Sequence, residues 1–263
     1  MSLAAVVRHD LLVVRRSRLA AAVVLVGAVT PVLGSLMEIT GSSFAGPEFR
    51  STLLYAWLTV SAVYPVVALA CTVGAVAGER ETGALRMIGG LPTTRVTLFT
   101  GKALARTAVV VTGVVAGLAG LAVVLWLVFE PTAIAGRRVA GFCLFTLLVV
   151  VCYAALGMAV SGSVETRGRA VGLAVAVLAL TIAWPAVVDG LSGVLPFGST
   201  TQQFVGTLSP FGAYAQAISD EQALLAVAVD TPLLGTGVNA AIICAWMVGA
   251  LAVGRRQFRV SEL

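Results

Sequence analysis

Acidic and basic side chains occur together in one short stretch, residues 78–103. Its charged residues include Glu79, Arg80, Glu81, Arg95 and Lys102. Charges of both signs in one segment suit a complementary contact with another protein surface. Because long apolar runs lie on both sides of this stretch, we interpret it as the place where the chain meets a soluble partner.

Residue types that support catalysis are scarce elsewhere. The one histidine is His9, which excludes a histidine-based metal cluster and disfavours a Ser-His-Asp arrangement. Gly101-Lys102-Ala103 resembles the end of a phosphate-binding loop, but Val96 stands where that loop needs glycine and Ala103 replaces its metal-binding Ser or Thr. We therefore expect no catalytic residue, no metal ligand and no cofactor in this chain.

The elements that must position these charges are membrane helices. The mean hydropathy is +1.02, and 11% of the residues are charged, against about a quarter in a soluble domain. A helix that crosses a bilayer needs ~20 apolar residues. Six runs meet this need: Leu19–Met37, Thr52–Ala77, Leu104–Phe129, Val139–Ser161, Ala170–Val188 and Leu233–Val253. We predict an all-α integral membrane protein with six transmembrane helices, in which Pro65 and Pro185 kink or break their helices.

The basic residues predict the orientation of these spans. Fourteen of the 17 Lys and Arg residues lie before the first span, after the last one, in the segments after the second and fourth spans, or, for Arg106, at the start of the third span. Short cytoplasmic segments carry the excess of Lys and Arg. We therefore expect a multi-pass protein of the cell membrane with both termini in the cytoplasm. The net charge of +5 then reflects topology, and we expect no nucleic-acid partner.

Residues 1–18 precede the first span and predict a helix on the membrane surface. Leu3, Val7, Leu11 and Val14 share one face at helical spacing, and Asp10 interrupts this pattern. Such an amphipathic segment suits the cytoplasmic face of the bilayer; a disordered leader is the alternative. We divide the chain into this interfacial segment and a transmembrane domain, 19–263.

The 78–103 segment predicts a short helical elbow. Thr82–Ile88 can continue as a helix, and Gly89-Gly90-Leu91-Pro92 then stops it, because Pro92 lacks an N–H donor and disfavours helix at Leu91. Thr93 or Thr94 can cap the next helix, which continues into the third span. An ordinary solvated loop is the alternative.

Glycines four residues apart suggest close helix contacts. The pairs are Gly74/Gly78, Gly113/Gly117 and Gly168/Gly172, with Gly120 continuing the face of the third span. Small residues at this spacing let helix backbones approach each other. The contact can lie within one subunit or between two copies, and both interpretations stay open.

The pattern Gly78-Glu79-Arg80-Glu81-x-Gly83-x-Leu85, followed by Leu91-Pro92-x-x-Arg95 and Gly101-Lys102, resembles the signature of type-2 ABC exporter permeases. The segment Arg8–Leu11 with Arg15–Arg18 resembles that family's interfacial elbow helix, and Ser209-Pro210 with Tyr214 resembles a motif before its sixth helix. The likeness is greatest to the single-domain group that includes the nitrous-oxide-reductase accessory permease and the sodium and antibiotic efflux permeases. This chain has Arg-Met-Ile-Gly-Gly at 86–90, where the family is usually rich in leucine.

The resemblance implies a mechanism and partners. Residues 78–103 would form the coupling helix that contacts a separate ABC ATPase subunit, and that subunit would bind ATP and Mg²⁺. A second permease, identical or a paralogue, would complete a path across the lipid bilayer. The implied interface with the ATPase comprises Glu79, Arg80, Glu81, Gly83, Leu85, Leu91, Pro92, Arg95 and Lys102.

The segment 190–232 lies on the opposite side in this topology and has no Lys or Arg. Short re-entrant or interfacial helices and a plain loop are equally compatible with it. Its polar and aromatic residues nominate an outer gate: Gln202, Gln203, Phe204 and Tyr214.

Two other functions stay open beside an ATP-driven exporter. A secondary transporter or channel usually keeps ionisable residues near the midplane, whereas Glu38, Glu130 and Asp189 lie at predicted span ends. A membrane scaffold subunit without a transport role is compatible with the same residues.

Overall fold

The computed structural model describes residues 2–42, 46–84, 94–129, 133–194, 198–220 and 235–260. Every regular element in these ranges is an α-helix. In chain order they are α1 (Leu3–Arg15), α2 (Arg18–Gly41), α3 (Phe49–Thr72), α4 (Ala77–Glu81), α5 (Arg95–Val128), α6 (Ala133–Ser163), α7 (Arg167–Ser192), α8 (Ser199–Gly206), α9 (Pro210–Asp220) and α10 (Thr236–Val260).

Six helices are long and apolar enough to cross a membrane: α2, α3 with its extension to Glu81, α5, α6, α7 and α10. The all-α prediction with six spans is thereby confirmed. The second span differs from its prediction, because α3 ends at Thr72 and a turn at residues 73–76 separates it from α4. The predicted start of the sixth span, Leu233, lies outside the described residues.

Side chains of Ser and Thr begin four of the helices. The hydroxyl oxygens of Ser2, Ser17, Thr94 and Thr166 accept hydrogen bonds from the backbone N–H groups three residues later. These bonds satisfy donors that the first turn of a helix leaves without partners. Thr94 is therefore the cap of the helix that enters the third span, and Thr93 lies outside the described residues.

Helix α1 forms as expected, but its most buried face differs from the predicted one. Val6, Asp10 and Val14 are 5%, 2% and 1% exposed, whereas Leu3 is 41% exposed. Val6 packs against Gly101 of α5, where a side chain larger than hydrogen would collide with it. The face of α1 that contacts the bundle is therefore the one that carries Asp10, whose ionic partners lie in α5.

Glycines bring α2 and α5 into backbone contact. A Cβ atom on Gly113 would lie 2.9 Å from the Cα of Val24, and one on Gly27 would lie 3.0 Å from the carbonyl carbon of Gly113. Gly117 packs on the carbonyl oxygen of Gly27, which also accepts a 2.8 Å hydrogen bond from the Tyr64 hydroxyl. The Gly113/Gly117 pair thus packs within one subunit, while Gly168 and Gly172 meet nothing within 4 Å.

The helices are buried to very different extents. The apolar window of the α3 span is 72% buried, and those of α7 and α10 are each 17% buried. Helix α3 is therefore the centre of the bundle, and α7 and α10 lie at its edge. Pro65 and Pro185 both lie inside continuous helices, so neither proline breaks its helix. A kink at either position stays a prediction.

Candidate functional site

Four charged residues from three helices form a buried group that we call the ion cluster: Asp10, Glu79, Lys102 and Arg106. Lys102 Nζ lies 3.2 Å from Asp10 Oδ1 and also donates to Glu79 Oε1. Arg106 Nε lies 3.0 Å from Asp10 Oδ2. The side chains of Asp10 and Lys102 are 3% and 6% exposed. The cluster joins α1, α4 and α5 at one end of the bundle.

The ion cluster is electrically balanced, with two acids and two bases. Charged groups are buried at tolerable cost only when they are paired and hydrogen-bonded. Both carboxylate oxygens of Asp10 have a cationic donor, and Arg106 also donates to the carbonyl oxygen of Cys71 in α3 at 3.4 Å. Glu79 Oε2 is buried without a hydrogen-bond partner in the described ranges, so only the Glu79 corner is incompletely satisfied.

Arg80, the next residue of α4, contacts the end of α6. Its guanidinium donates to the carbonyl oxygens of Val164 at 2.9 Å and Gly162 at 3.4 Å. The last carbonyl groups of a helix have no partner within the helix, and a basic side chain can supply one. The guanidinium also lies 5.6 Å from the ring centroid of Phe258 in α10, a cation–π distance. Arg80 therefore connects α4 to α6 and α10.

Glu81 contacts the start of α7. Its Oε2 accepts a 2.9 Å hydrogen bond from the backbone N–H of Arg167, the first residue of that helix. A carboxylate is stabilised at a helix N-terminus both by unpaired N–H groups and by the helix dipole. Glu81 therefore holds α4 against α7.

The start of α4 is held by α6. The hydroxyl oxygen of Ser161 accepts hydrogen bonds from the backbone N–H groups of Val76 at 2.9 Å and Ala77 at 3.1 Å. These donors are free because the turn at 73–76 interrupts the helix. With Glu79, Arg80 and Glu81 also engaged, four of the five residues of α4 are bonded to α5, α6 or the start of α7. A displacement of α4 would therefore act on several membrane helices at once.

Of the other residues of the predicted ATPase interface, the structure describes Gly83 and Arg95. Gly83 has a φ of +74°, a left-handed conformation that glycine adopts without a Cβ penalty, so it turns the chain directly after α4. Arg95 donates to the carbonyl oxygen of Arg259 at 3.2 Å. Leu85, Leu91 and Pro92 lie outside the described residues. The ATPase contact itself stays a prediction for the whole set; Glu79, Arg80, Glu81 and Lys102 have partners within this chain.

The four residues nominated as an outer gate do not form one surface. Phe204 is 45% exposed, whereas Tyr214 is 1% exposed and shares a 2.8 Å hydrogen bond with the Thr146 hydroxyl in α6. Burial raises the pKa of Tyr214 above its ordinary value, so this hydroxyl stays protonated. Gln202 donates to Asp189 at the end of α7, and Gln203 is half-buried.

Three residues of the site were not predicted as site residues: Asp10, Arg106 and Ser161. In the sequence, Asp10 interrupts the predicted apolar face of α1 and belongs to the segment that resembles the elbow helix, but neither pattern indicates its ionic partners. Lys102 and Arg106 are four residues apart on one helix face, so an acid within reach could bind both, and this spacing was an available signal. The sequence holds no comparable signal for Ser161. The two backbone N–H groups that donate to it lack a helical partner only because α3 is interrupted, and the sequence does not predict that interruption.

The described residues contain no group of three or more His, Cys, Asp or Glu side chains that could hold a metal ion. The contacts that the structure describes in this site are ion pairs and hydrogen bonds between helices.

The family model described as ABC-2 family transporter protein matches residues 4–263. No curated protein matches.

Proposed function

This chain belongs to the ABC-2 family of transporter proteins, and we propose that it is the permease subunit of an ATP-driven exporter whose ATPase is a separate chain. Members of this family are membrane components and are not themselves ATPases. The observation that supports ATPase coupling most directly is the bonding of α4, which ties the start of the 78–103 segment to three transmembrane helices.

In this proposal the 78–103 segment faces the cytoplasm and docks on the ATPase. Leu85, Leu91 and Pro92 supply the apolar anchor and the bend, and Arg95 is the first residue of α5. Glu79, Arg80 and Glu81 transmit the displacement, because their charged groups are bonded to α5, α6 and α7. In the same proposal, Glu79, Arg80 and Glu81 also contact the ATPase surface directly.

The proposed cycle needs two permeases, either two copies or this chain and a paralogue, and two ATPase subunits. ATP and Mg²⁺ bind to the ATPase subunits, where their closure supplies the force. That force moves the 78–103 segments and tilts the helices bonded to α4, so access to the path changes from the inner to the outer side. Export, as opposed to import, is proposed on the resemblance of the 78–102 motif.

The test is co-purification of the tagged chain with its ATPase, comparing Glu81→Arg with Glu165→Arg. Glu81→Arg places a cation at the N-terminus of α7 and removes the bond to Arg167. Glu165 is 82% exposed and its nearest basic atom lies 4.0 Å away, so Glu165→Arg makes the same change of charge near the same helix with little structural effect.

We expect the wild type and Glu165→Arg to carry a stoichiometric subunit with a phosphate-binding loop, and we expect ATP-dependent transport to fall at least tenfold in Glu81→Arg with membrane insertion unchanged. Normal transport by Glu81→Arg would contradict the coupling role of α4. A wild-type chain that purifies from its native membrane without any ATPase would contradict the exporter proposal and favour a secondary transporter or a scaffold.

A further inference from the structure

An open apolar groove lies between α1, α2 and α5. It has a volume of about 870 Å³, and its apolar walls include Leu3, Val7 and Leu11 of α1, Ala21 and Val24 of α2, and Val109 of α5. Leu3 is 41% exposed, and Val7 and Leu11 are half-buried. Most of the face of α1 that the sequence assigned to the membrane therefore lines this groove instead of packing into the bundle.

One charged side chain lies on the groove. Among the described residues that line it, Arg8 alone is charged, and its side chain is exposed. No carboxylate in the described ranges lies within 4.0 Å of the guanidinium groups of Arg8, Arg16 or Arg18. The groove thus combines an apolar wall with a cation that lacks an ionic partner in the described part of the chain.

The charges of α1 are separated by face. Asp10 is the only acid in residues 2–18, and it is turned inward to Lys102 and Arg106. The exposed surface of α1 therefore presents Arg8 and Arg16 without an acid to neutralise them, and Arg18 follows at the start of α2. This arrangement complements an anion at the membrane surface.

We propose that the groove binds an anionic phospholipid, with an acyl chain against Leu3, Val7 and Val24 and the phosphate on Arg8. Apolar surface and positive charge together are the two signals that hold an interfacial helix on an anionic bilayer. The planar guanidinium of arginine matches the geometry of a phosphate group. This site goes beyond the proposed transport function and does not depend on an ATPase.

The experiment measures binding of phosphatidylglycerol and phosphatidylcholine to the purified full-length chain in detergent, by native mass spectrometry. Arg8→Ala removes the charge and leaves the groove. Ala21→Phe fills the groove and leaves the charge. Arg169→Ala, on α7, removes a basic residue that is 73% exposed and pairs only at 4.0 Å with Glu165, so it serves as the matched control.

We expect the wild type and Arg169→Ala to prefer phosphatidylglycerol. We expect Arg8→Ala to weaken phosphatidylglycerol binding about fivefold, as for one basic residue at an anionic surface, with phosphatidylcholine unaffected. Ala21→Phe should weaken both lipids.

Three outcomes would overturn the proposal. One is wild-type binding by both Arg8→Ala and Ala21→Phe. Another is competition by inorganic phosphate at the same concentration as the lipid, which would indicate an anion site without an acyl chain. The third is a change of dimerisation in these variants with lipid binding unchanged, which would assign the groove to a second copy.

Discussion

At the scale of single residues, Lys102 shows how this chain places a charge inside an apolar helix. It lies in α5 with only 4% of its surface exposed. Asp10 and Glu79 approach its ammonium group from two other helices, so the charge is compensated where water cannot reach it. Lys102 therefore stabilises the contact between α1, α4 and α5.

We predict that Lys102→Met destabilises the protein by about 3 kcal/mol, because it leaves Glu79 and one oxygen of Asp10 buried without a cation. Thermal unfolding in detergent measures this change, and a decrease of Tm on the order of 5–10 °C is expected. The double variant Asp10→Asn/Lys102→Met should lose less than the sum of the two single variants, because the residues are in direct contact.

The control for this prediction is Glu165→Gln, which removes an exposed pair at 4.0 Å. A pair of this kind contributes less than about 0.5 kcal/mol, so its Tm should stay close to that of the wild type. Equal decreases of Tm in Lys102→Met and Glu165→Gln would show that the ion cluster contributes no more stability than an exposed ion pair.

At the scale of elements, the packing of α2 on α5 depends on glycine. The backbones approach so closely at Gly113 that a methyl group would contact the backbone of Val24. Helix pairs in membranes gain little from the hydrophobic effect and rely on such close contact. The Gly113/Gly117 spacing in the sequence indicated this contact, but it could not indicate the partner, since Gly27 is far away in the chain.

We predict that Gly113→Ala destabilises the protein by about 1–3 kcal/mol through overpacking, whereas Gly172→Ala is neutral or stabilises by about 0.5–1 kcal/mol, because glycine inside a helix is itself unfavourable. Gly172 meets nothing within 4 Å in this subunit, which makes the pair of variants a matched comparison. Thermal unfolding of both variants measures the difference.

The opposite ranking would contradict the α2–α5 contact as described. Destabilisation by Gly172→Ala that depends on protein concentration would instead show that α7 packs on a second copy, the other interpretation that the glycine spacing allows.

The sequence anticipates the elements better than the contacts between them. Six apolar runs, a cap at Thr93 or Thr94 and a helix within residues 1–18 follow from local composition. The structure confirms the six spans, places the cap at Thr94 and gives the helix as Leu3–Arg15. The turn at 73–76 does not follow, because the stretch is apolar and its stability depends on Ser161 from a distant part of the chain. The inward turn of Asp10 was missed for the same reason, since its partners lie more than ninety residues away.

At the scale of the whole molecule, the distribution of charge and the burial of the helices give different information. The basic residues predict which ends of the helices face the cytoplasm, while burial shows α3 at the centre and α7 and α10 at the edge. Edge helices with exposed apolar side chains, such as Val175 at 60% and Val248 at 61%, are solvated by lipid or covered by a second permease. The basic residues thus predict the orientation, the burial shows how the helices of one subunit pack, and the partner stays a proposal.

We predict that a cysteine at position 169 is labelled only from the cytoplasmic side and one at position 199 only from the outer side, in a chain whose four native cysteines have been replaced. Both residues are exposed. Arg169 lies near the start of α7, and Ser199 begins α8, the helix that follows the other end of α7. Membrane-impermeant maleimide applied to intact cells and to inverted vesicles makes the measurement. Labelling of both positions from one side would refute the orientation predicted from the Lys and Arg distribution.

The bond between Asp10 and Lys102 also sets an order of events during biosynthesis. The two residues are separated by 92 positions, so at ~5–20 residues per second the ribosome needs about 5–20 s to make the second after the first. Until then neither Lys102 nor Arg106 exists to pair with Asp10, so the site that buries its carboxylate cannot form. Helix α1 is therefore synthesised early but forms its ion pairs late. It can dock only after the third span, α5, has been inserted.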